Sequence, residues 1–477
     1  MSSTRTLAKA MTLRERWRRL AGNRLVRSVG VLVGGTAFAH AITAAALPVV
    51  TRLYTPTDFS ALAVFMSLLS ILSVAACLRF DVAIPMPEQD AEALNLLALA
   101  VASTAVIAAL AALFVMAAPQ RLTAWLNQPR LVPHLWLLPV GVLLAGAYSA
   151  LQMWFVRKKA FTTIARSRIA QSGAAAGTQV GLGWLHWAPV GLILGSMLNT
   201  GAGCIVLGWR FLKTESRAPS AITPAQMRRA FKAYDRFPKY STFEALANSA
   251  SIQLPIILIA AVALGPEAGF LALAMSAMQA PMGLIGTAIS QVYLSRAPEE
   301  HRAGTLDTFT TGIFGGLVRS GAGPLLFAGF VAPELFALVF GEPWRRAGIL
   351  VAWMTPWFVM QFLSVPVSMA MHVTGHQRAA LMLQLFGLAL RVGAVGVASS
   401  LVPEYVSEAY AISGFVFYGA YLILVLRVVG AHLPAVAREA TRALPVALIW
   451  AAAGWTIAWA VGNWLHLQPM GSLRVLQ

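Results

Sequence analysis

Charge is scarce in this 477-residue chain. Asp, Glu, Lys and Arg make up 11% of it, against roughly 25% in an ordinary soluble domain. Acid is scarcer still, with 18 Asp and Glu set against 36 Lys and Arg. Cysteine is nearly absent: Cys77 and Cys204 both fall in apolar runs. They read as buried small side chains, and a disulfide framework is excluded. No G-x-x-x-x-G-K-[ST] occurs; GWRFLKT has Leu212 where the second glycine is needed. The chain therefore has no P-loop with which to hydrolyse ATP. His372 and His376 stand four apart, but no third ligand accompanies them and Gly375 should end their helix. No metal and no cofactor is expected. Long polar stretches on one side of the expected membrane are missing too; the largest covers about 333–348. A membrane polymerase or lipid-linked glycosyltransferase would need larger ones to carry catalytic carboxylates.

What the chain does have is apolar sequence. Hydrophobic residues make up 58% of it, and mean hydropathy is +0.70. The apolar runs are continuous rather than alternating, which selects helices over a β-barrel. The expected fold class is all-α: a polytopic membrane protein of about 12–14 spans. Thirteen candidates are read at roughly 29–50, 59–78, 93–118, 134–155, 165–184, 188–211, 242–264, 268–292, 310–332, 348–371, 379–401, 407–429 and 442–464. Net charge is +18, yet a nucleic-acid role is rejected because of where the charge lies. Of the 36 Lys and Arg, 28 fall on the N-terminal side of alternate spans. Six fall on the other side (Arg52, Arg121, Arg130, Arg345, Arg346 and Arg474), and Arg319 and Arg391 lie inside spans. Cytoplasmic loops carry such an excess, so the N-terminus is expected in the cytoplasm.

One hairpin sets the pattern. In 31–87 two long apolar runs flank the polar turn TRLYTPTDF. Each run is long enough to cross ~30 Å of hydrocarbon at about 1.5 Å per residue. Leu47-Pro48, a turn with Pro56, then ALAVF is echoed at Leu254-Pro255, a turn with Pro266, then LALAM. Internal repeats of this kind build many transporters. The expected organisation is a basic segment 1–28 on the membrane surface and an N-lobe 29–211. A cytoplasmic connection 212–241, a C-lobe 242–429 and one more span with a tail, 430–477, follow.

Charges at membrane depth are the informative residues, because each costs about 2.5–3.5 kcal/mol or more at the centre. Arg391 lies near the middle of its run and Arg319 several residues inside another. Each should face a hydrated cavity or a partner, and an arginine fork suits an anionic substrate such as phosphate. Arg79 and Asp81 stand together at the end of the second span, where a rim ion pair is expected. Glu244 lies about one turn inside another span. Amides recur in the spans at Gln152, Gln179, Asn199, Asn248, Gln253, Gln279, Gln361 and Gln384. Some should line a hydrated interior and some should bond neighbouring helices.

Four stretches resemble one family. They are GGTAFAHAITAAALPVVTRLYTPTDFSALAVF; LRFDVAIPMP; FPKYSTFEALANSASIQLP with QAPMGLIGTAISQVYL; and VFGEPWRRAGILVAWMTPWFVMQFLSVPVSMAMHVTGHQR, running on to Arg391. The resemblance is to Wzx-type polysaccharide (O-antigen) flippases of the multidrug/oligosaccharidyl-lipid/polysaccharide (MOP) exporter superfamily. It implies a V-shaped pair of six-helix lobes around a central cavity in the bacterial inner membrane. It also implies transport of an undecaprenyl-pyrophosphate-linked oligosaccharide by alternating access. Substrate-binding candidates are Arg391, Arg319 and Arg79, of which Arg79 and Arg391 stand where the family commonly shows arginine. Asp81 and Glu244 are the coupling-ion candidates. Ser276 departs from the pattern, since relatives often carry a basic residue there. Besides the lipid-linked substrate and the bilayer, candidate partners are a polysaccharide polymerase and chain-length proteins, not nucleic acid. A multidrug exporter of the same superfamily is the first rival reading. It would call for buried carboxylates, which are almost absent here.

Overall fold

The computed structural model describes residues 24–117, 126–215, 222–263 and 265–467. The basic segment before residue 24 and the loop positions Arg121 and Arg217 lie outside them. The described chain is helical and contains no strand.

Among the described residues thirteen long helices follow one another. The first six are α1 (Arg24–Leu53), α2 (Pro56–Ala76), α3 (Asp90–Ala117), α4 (Leu137–Arg157), α5 (Phe161–Trp184) and α6 (Val190–Thr214). After a connection come α7 (Thr242–Val262), α8 (Glu267–Ala303), α9 (Leu306–Phe340), α10 (Arg345–Ser364), α11 (Gln377–Leu401), α12 (Val406–Val428) and α13 (Leu433–Leu467). Eleven of them are long and apolar enough to cross a membrane. The expected spans at 165–184 and 268–292 fall on the other two, α5 and α8. Helix α5 carries Arg166, Arg168 and Gln171, and α8 carries Gln279, Arg296, Glu299 and Glu300. In α5 these polar residues lower the hydropathy of a helix that still packs within the bundle.

Helix α5 packs against α1 and α6, and α3 against α4. In the second half α9 packs on α10 and α13, and α12 on α10 and α11. The two halves meet where α2 lies against α7 and α8. Local chemistry fixes the start of α2. The Thr55 hydroxyl accepts from the Asp58 N–H, the Asp58 carboxylate accepts from the Thr55 N–H, and Pro56 fills the first helical position. Such a box contributes about 1 kcal/mol. Arg130 donates to Asp58 at 3.1 Å, tying the α3–α4 connection to this turn.

The joint between the halves is tight at the α1–α2 turn. A Cβ on Gly269 of α8 would fall 2.1 Å from the Pro56 carbonyl oxygen. Only glycine permits that backbone approach. Trp344, 1% exposed, donates Nε1–H to the Thr51 carbonyl at 2.9 Å and packs edge-on against Phe59, with centroids 4.7 Å apart. Beside it Arg346 pairs with Glu267 at 3.0 Å and Glu408 at 2.6 Å.

Two expectations are corrected, those for the 333–348 loop and for the Arg79–Asp81 pair. The loop expected over 333–348 is mostly helix: α9 runs through Pro333 to Phe340, leaving only a short turn before α10. A proline is tolerated there because packed neighbours can satisfy the freed carbonyl. The connection between the halves is partly helical. Its Pro224–Ala233 helix is capped by Thr223 and held on α3 by Asn95–Gln226 bonding at 2.9 Å. Arg79 and Asp81 do not form the expected ion pair. Asp81 instead accepts a 2.6 Å hydrogen bond from Ser149 of α4. Leu78 and Arg79 have positive φ, at 46° and 60°, a break between α2 and the short helix Phe80–Ala83 that separates the two charges. The helix end expected near Gly375 is present: the helix Ala370–Val373 ends before Gly375, which has φ 78°.

Candidate functional site

A cavity of about 660 Å³ opens between the two halves. Helix α2 lines it with Met66, Ser67 and Ser70, and α7 with Ile252, Gln253 and Ile256. Helix α8 adds Ser276, Gln279 and Ser290, and α10 adds Trp357, Gln361 and Phe362. Arg391 of α11 and Tyr410 and Tyr418 of α12 close the wall. Helix α2 reaches across to the second half, so one cavity sees residues more than 350 positions apart in sequence.

Among the described lining residues Arg391 is the one with a charge. It is 3% exposed, and no described carboxylate pairs with it. Its guanidinium carbon lies 4.3 Å from the Phe417 ring centre, 5.6 Å from Tyr418 and 5.8 Å from Trp357. One terminal nitrogen donates to the Ser251 carbonyl of α7 at 3.4 Å, and Nε is buried with no hydrogen-bond partner. A desolvated cation over an aromatic face gains about 2 kcal/mol. The rings therefore offset part of the burial cost without neutralising the charge. The cage is packed by design of its neighbours: a Cβ on Gly387 would meet the Phe417 ring at 2.4 Å, and one on Gly414 would meet Trp357 at 2.3 Å.

The polar part of the wall is neutral. Gln253, Gln279 and Gln361 line the cavity, while Gln179 bonds Ser196 of α6 at 3.4 Å away from it. The expected split of the amides between cavity and packing is thus visible. Ser276, the position without the family's basic residue, also lines the cavity, and its hydroxyl donates back to the Ala272 carbonyl.

The other sequence-selected residues lie elsewhere. Arg319 sits in a π-helical turn, Val318–Ala322, within α9 and pairs with Glu439 of α13 at 3.5 Å. Arg79 and Asp81 lie in the first half at the α2–α3 connection, and each keeps one buried polar atom, Arg79 Nε and Asp81 Oδ1, without a hydrogen bond. Glu244 is exposed in the first turn of α7. None of these four lines the cavity. The aromatic cage went unread in the sequence. Its one visible signal is the run of Phe417, Tyr418 and Tyr421 on α12, which periodicity alone does not tie to Arg391. Cys77 donates to the Gly146 carbonyl at 3.2 Å and is unbridged.

Solved structures share this fold. An inward-closed structure of the lipid II flippase MurJ superposes with a TM-score of 0.70 at 9% identity, covering 92% of this chain and 99% of that one. An inward-facing multidrug resistance MATE family transporter of the MOP superfamily gives 0.63 at 14%, covering 82% and 94%. An outward-facing MATE structure gives 0.51 at 13%, covering 86% and 97%. At these identities the likeness carries the fold alone. Among curated proteins none matches the chain. The profile of a family described as "Polysaccharide biosynthesis protein" matches residues 49–347, well over half of the sequence. With eleven apolar helices long enough to span a membrane and this fold, the chain is a multi-pass membrane protein that belongs to the polysaccharide biosynthesis protein family.

Proposed function

We propose that the chain is a flippase for an undecaprenyl-pyrophosphate-linked oligosaccharide in the bacterial inner membrane. The headgroup passes through the cavity while the lipid tail stays in the bilayer. The two halves, 29–211 and 242–429, act as lobes that rock to alternate access. The observation that carries this reading is Arg391: a buried guanidinium with no described carboxylate partner, on the wall of a cavity otherwise lined by amides, hydroxyls and rings. An anion is the ligand such a wall lacks, and a pyrophosphate offers two acceptors to the fork. Sugar hydroxyls suit the amides. Family membership supports a carbohydrate substrate, and the MurJ structure, which has this fold, is named as a lipid II flippase.

The rival reading, an exporter of organic cations, calls for a cavity carboxylate, and no described lining residue supplies one. Reconstitution tests the proposal. Proteoliposomes loaded with a fluorescent polyprenyl-pyrophosphate-linked oligosaccharide should expose it to an impermeant quencher faster than protein-free vesicles do. Equal rates would reject the flippase reading, and efflux of a lipophilic cation in its place would favour the exporter.

A further inference from the structure

One side chain ties the two halves together inside the cavity. Ser67 of α2 donates its hydroxyl to Gln253 Oε1 of α7 at 2.9 Å, and Gln253 Nε2 donates to Ser70 Oγ at 3.3 Å. Ser67 and Ser70 are three residues apart and so share a helix face, and a single carboxamide reaches both. All three residues line the cavity. The remaining contacts across the joint named above are of another kind. Trp344 on Thr51, Phe59 on Trp344 and Gly269 on Pro56 are ring or backbone contacts at the α1–α2 turn, and none of these residues lines the cavity. The polar bridge is therefore the hydrogen-bonded part of this joint, among the contacts named, that a ligand in the cavity can reach.

We propose that the Ser67–Gln253–Ser70 bridge is a hydroxyl-recognition subsite and, at the same time, the latch of the closed joint. Neighbouring hydroxyls of a sugar ring each donate and accept. They can replace both serines on the Gln253 amide and leave α2 untied from α7. Two protein–protein bonds are exchanged for two protein–ligand bonds, so the exchange itself is nearly balanced. A ligand shifts an equilibrium only through its differential affinity for the two states. A hydroxylated ligand has that difference, because Gln253 is free to bind it fully only when the bridge is open. A lipophilic cation lacks the paired hydroxyls and would leave the latch shut. The inference rests on the carbohydrate reading above for its ligand, but not for the latch.

The test uses the full chain in detergent, with Cys77 and Cys204 replaced by alanine and Thr51→Cys as the reporter. Thr51 is 3% exposed in the closed joint, so its labelling by a thiol reagent reports opening. Gln253→Met keeps the length of the side chain and removes both bonds; Ser67→Ala removes one donor. Without ligand, Gln253→Met should raise the labelling rate about tenfold and Ser67→Ala by less, as two or one modest hydrogen bonds allow. In the protein with Gln253 intact, a short-chain polyprenyl-pyrophosphate disaccharide should raise labelling, and the same lipid without sugar should not. Labelling of Gln253→Met at the unmutated rate overturns the latch. Equal opening by the sugarless lipid overturns release by hydroxyls, as does a disaccharide lipid with no effect. Binding of the sugarless lipid, and its loss in Arg391→Ala, checks the substrate reading separately.

Discussion

Arg391 rests against Phe417, with its guanidinium carbon 4.3 Å from the ring centre. The ring packs against the ion, and Arg391 lines the cavity. Among the described residues this arginine is held by aromatic faces instead of a carboxylate.

Arg391→Lys should therefore keep part of the transport activity, because charge remains while the fork is lost. Arg391→Ala should reduce it about 10- to 100-fold, the worth of a charged hydrogen bond of roughly 1.5–3 kcal/mol. Flipping rate and size-exclusion profile are measured together. A monodisperse, inactive Arg391→Ala supports the ligand role. Normal transport removes it, and failure to accumulate makes the residue structural.

The joint at Trp344 is a packing site. Trp344→Ala should destabilise the protein by about 3–5 kcal/mol through the cavity it leaves. Trp344→Phe should cost less, keeping a ring against Phe59 while orphaning the Thr51 carbonyl, about 1–3 kcal/mol. Thermal unfolding in detergent gives both values. A Phe variant as unstable as the Ala variant would assign the loss to the hydrogen bond.

Sidedness can be read with single cysteines in a background free of Cys77 and Cys204. Positive-inside counting puts Lys232 in the cytoplasm and Glu342, whose side chain is 71% exposed, outside. In whole cells Glu342→Cys should react with an impermeant thiol reagent and Lys232→Cys should not. The opposite pattern would invert the topology.

The two coupling candidates differ in setting. Asp81 is buried with one carboxylate oxygen unsatisfied, whereas Glu244 is exposed. A group that exchanges a driving ion gains its leverage from being shielded. If a proton gradient drives transport, Asp81→Asn should abolish the dependence of flipping on that gradient, and Glu244→Gln should leave it largely intact. Dependence retained in Asp81→Asn would take Asp81 out of the mechanism.

The sequence by itself determined the class of this protein. Continuous apolar runs leave no soluble alternative, since a backbone in hydrocarbon must close its own hydrogen bonds and helices do so within one segment. The expected spans fall on the thirteen helices for the same reason, and the depth of Arg391 was legible because a charge there stands out against its neighbours. Tertiary structure alone decided what surrounds that charge. Phe417, Tyr418 and Trp357 come from two helices, α12 and α10, and no periodicity says which faces of separate helices will meet. The fate of the other arginine shows the same limit. Arg319 looked equivalent to Arg391 in the chain, yet it finds Glu439 on α13, a partner 120 residues away. Nor could the sequence tell Gly269, pressed on the Pro56 carbonyl, from Gly393, which has open space around it. Local composition dictates whether a segment enters the membrane. The packing of side chains from distant segments decides which polar group is paired and which is left for a ligand.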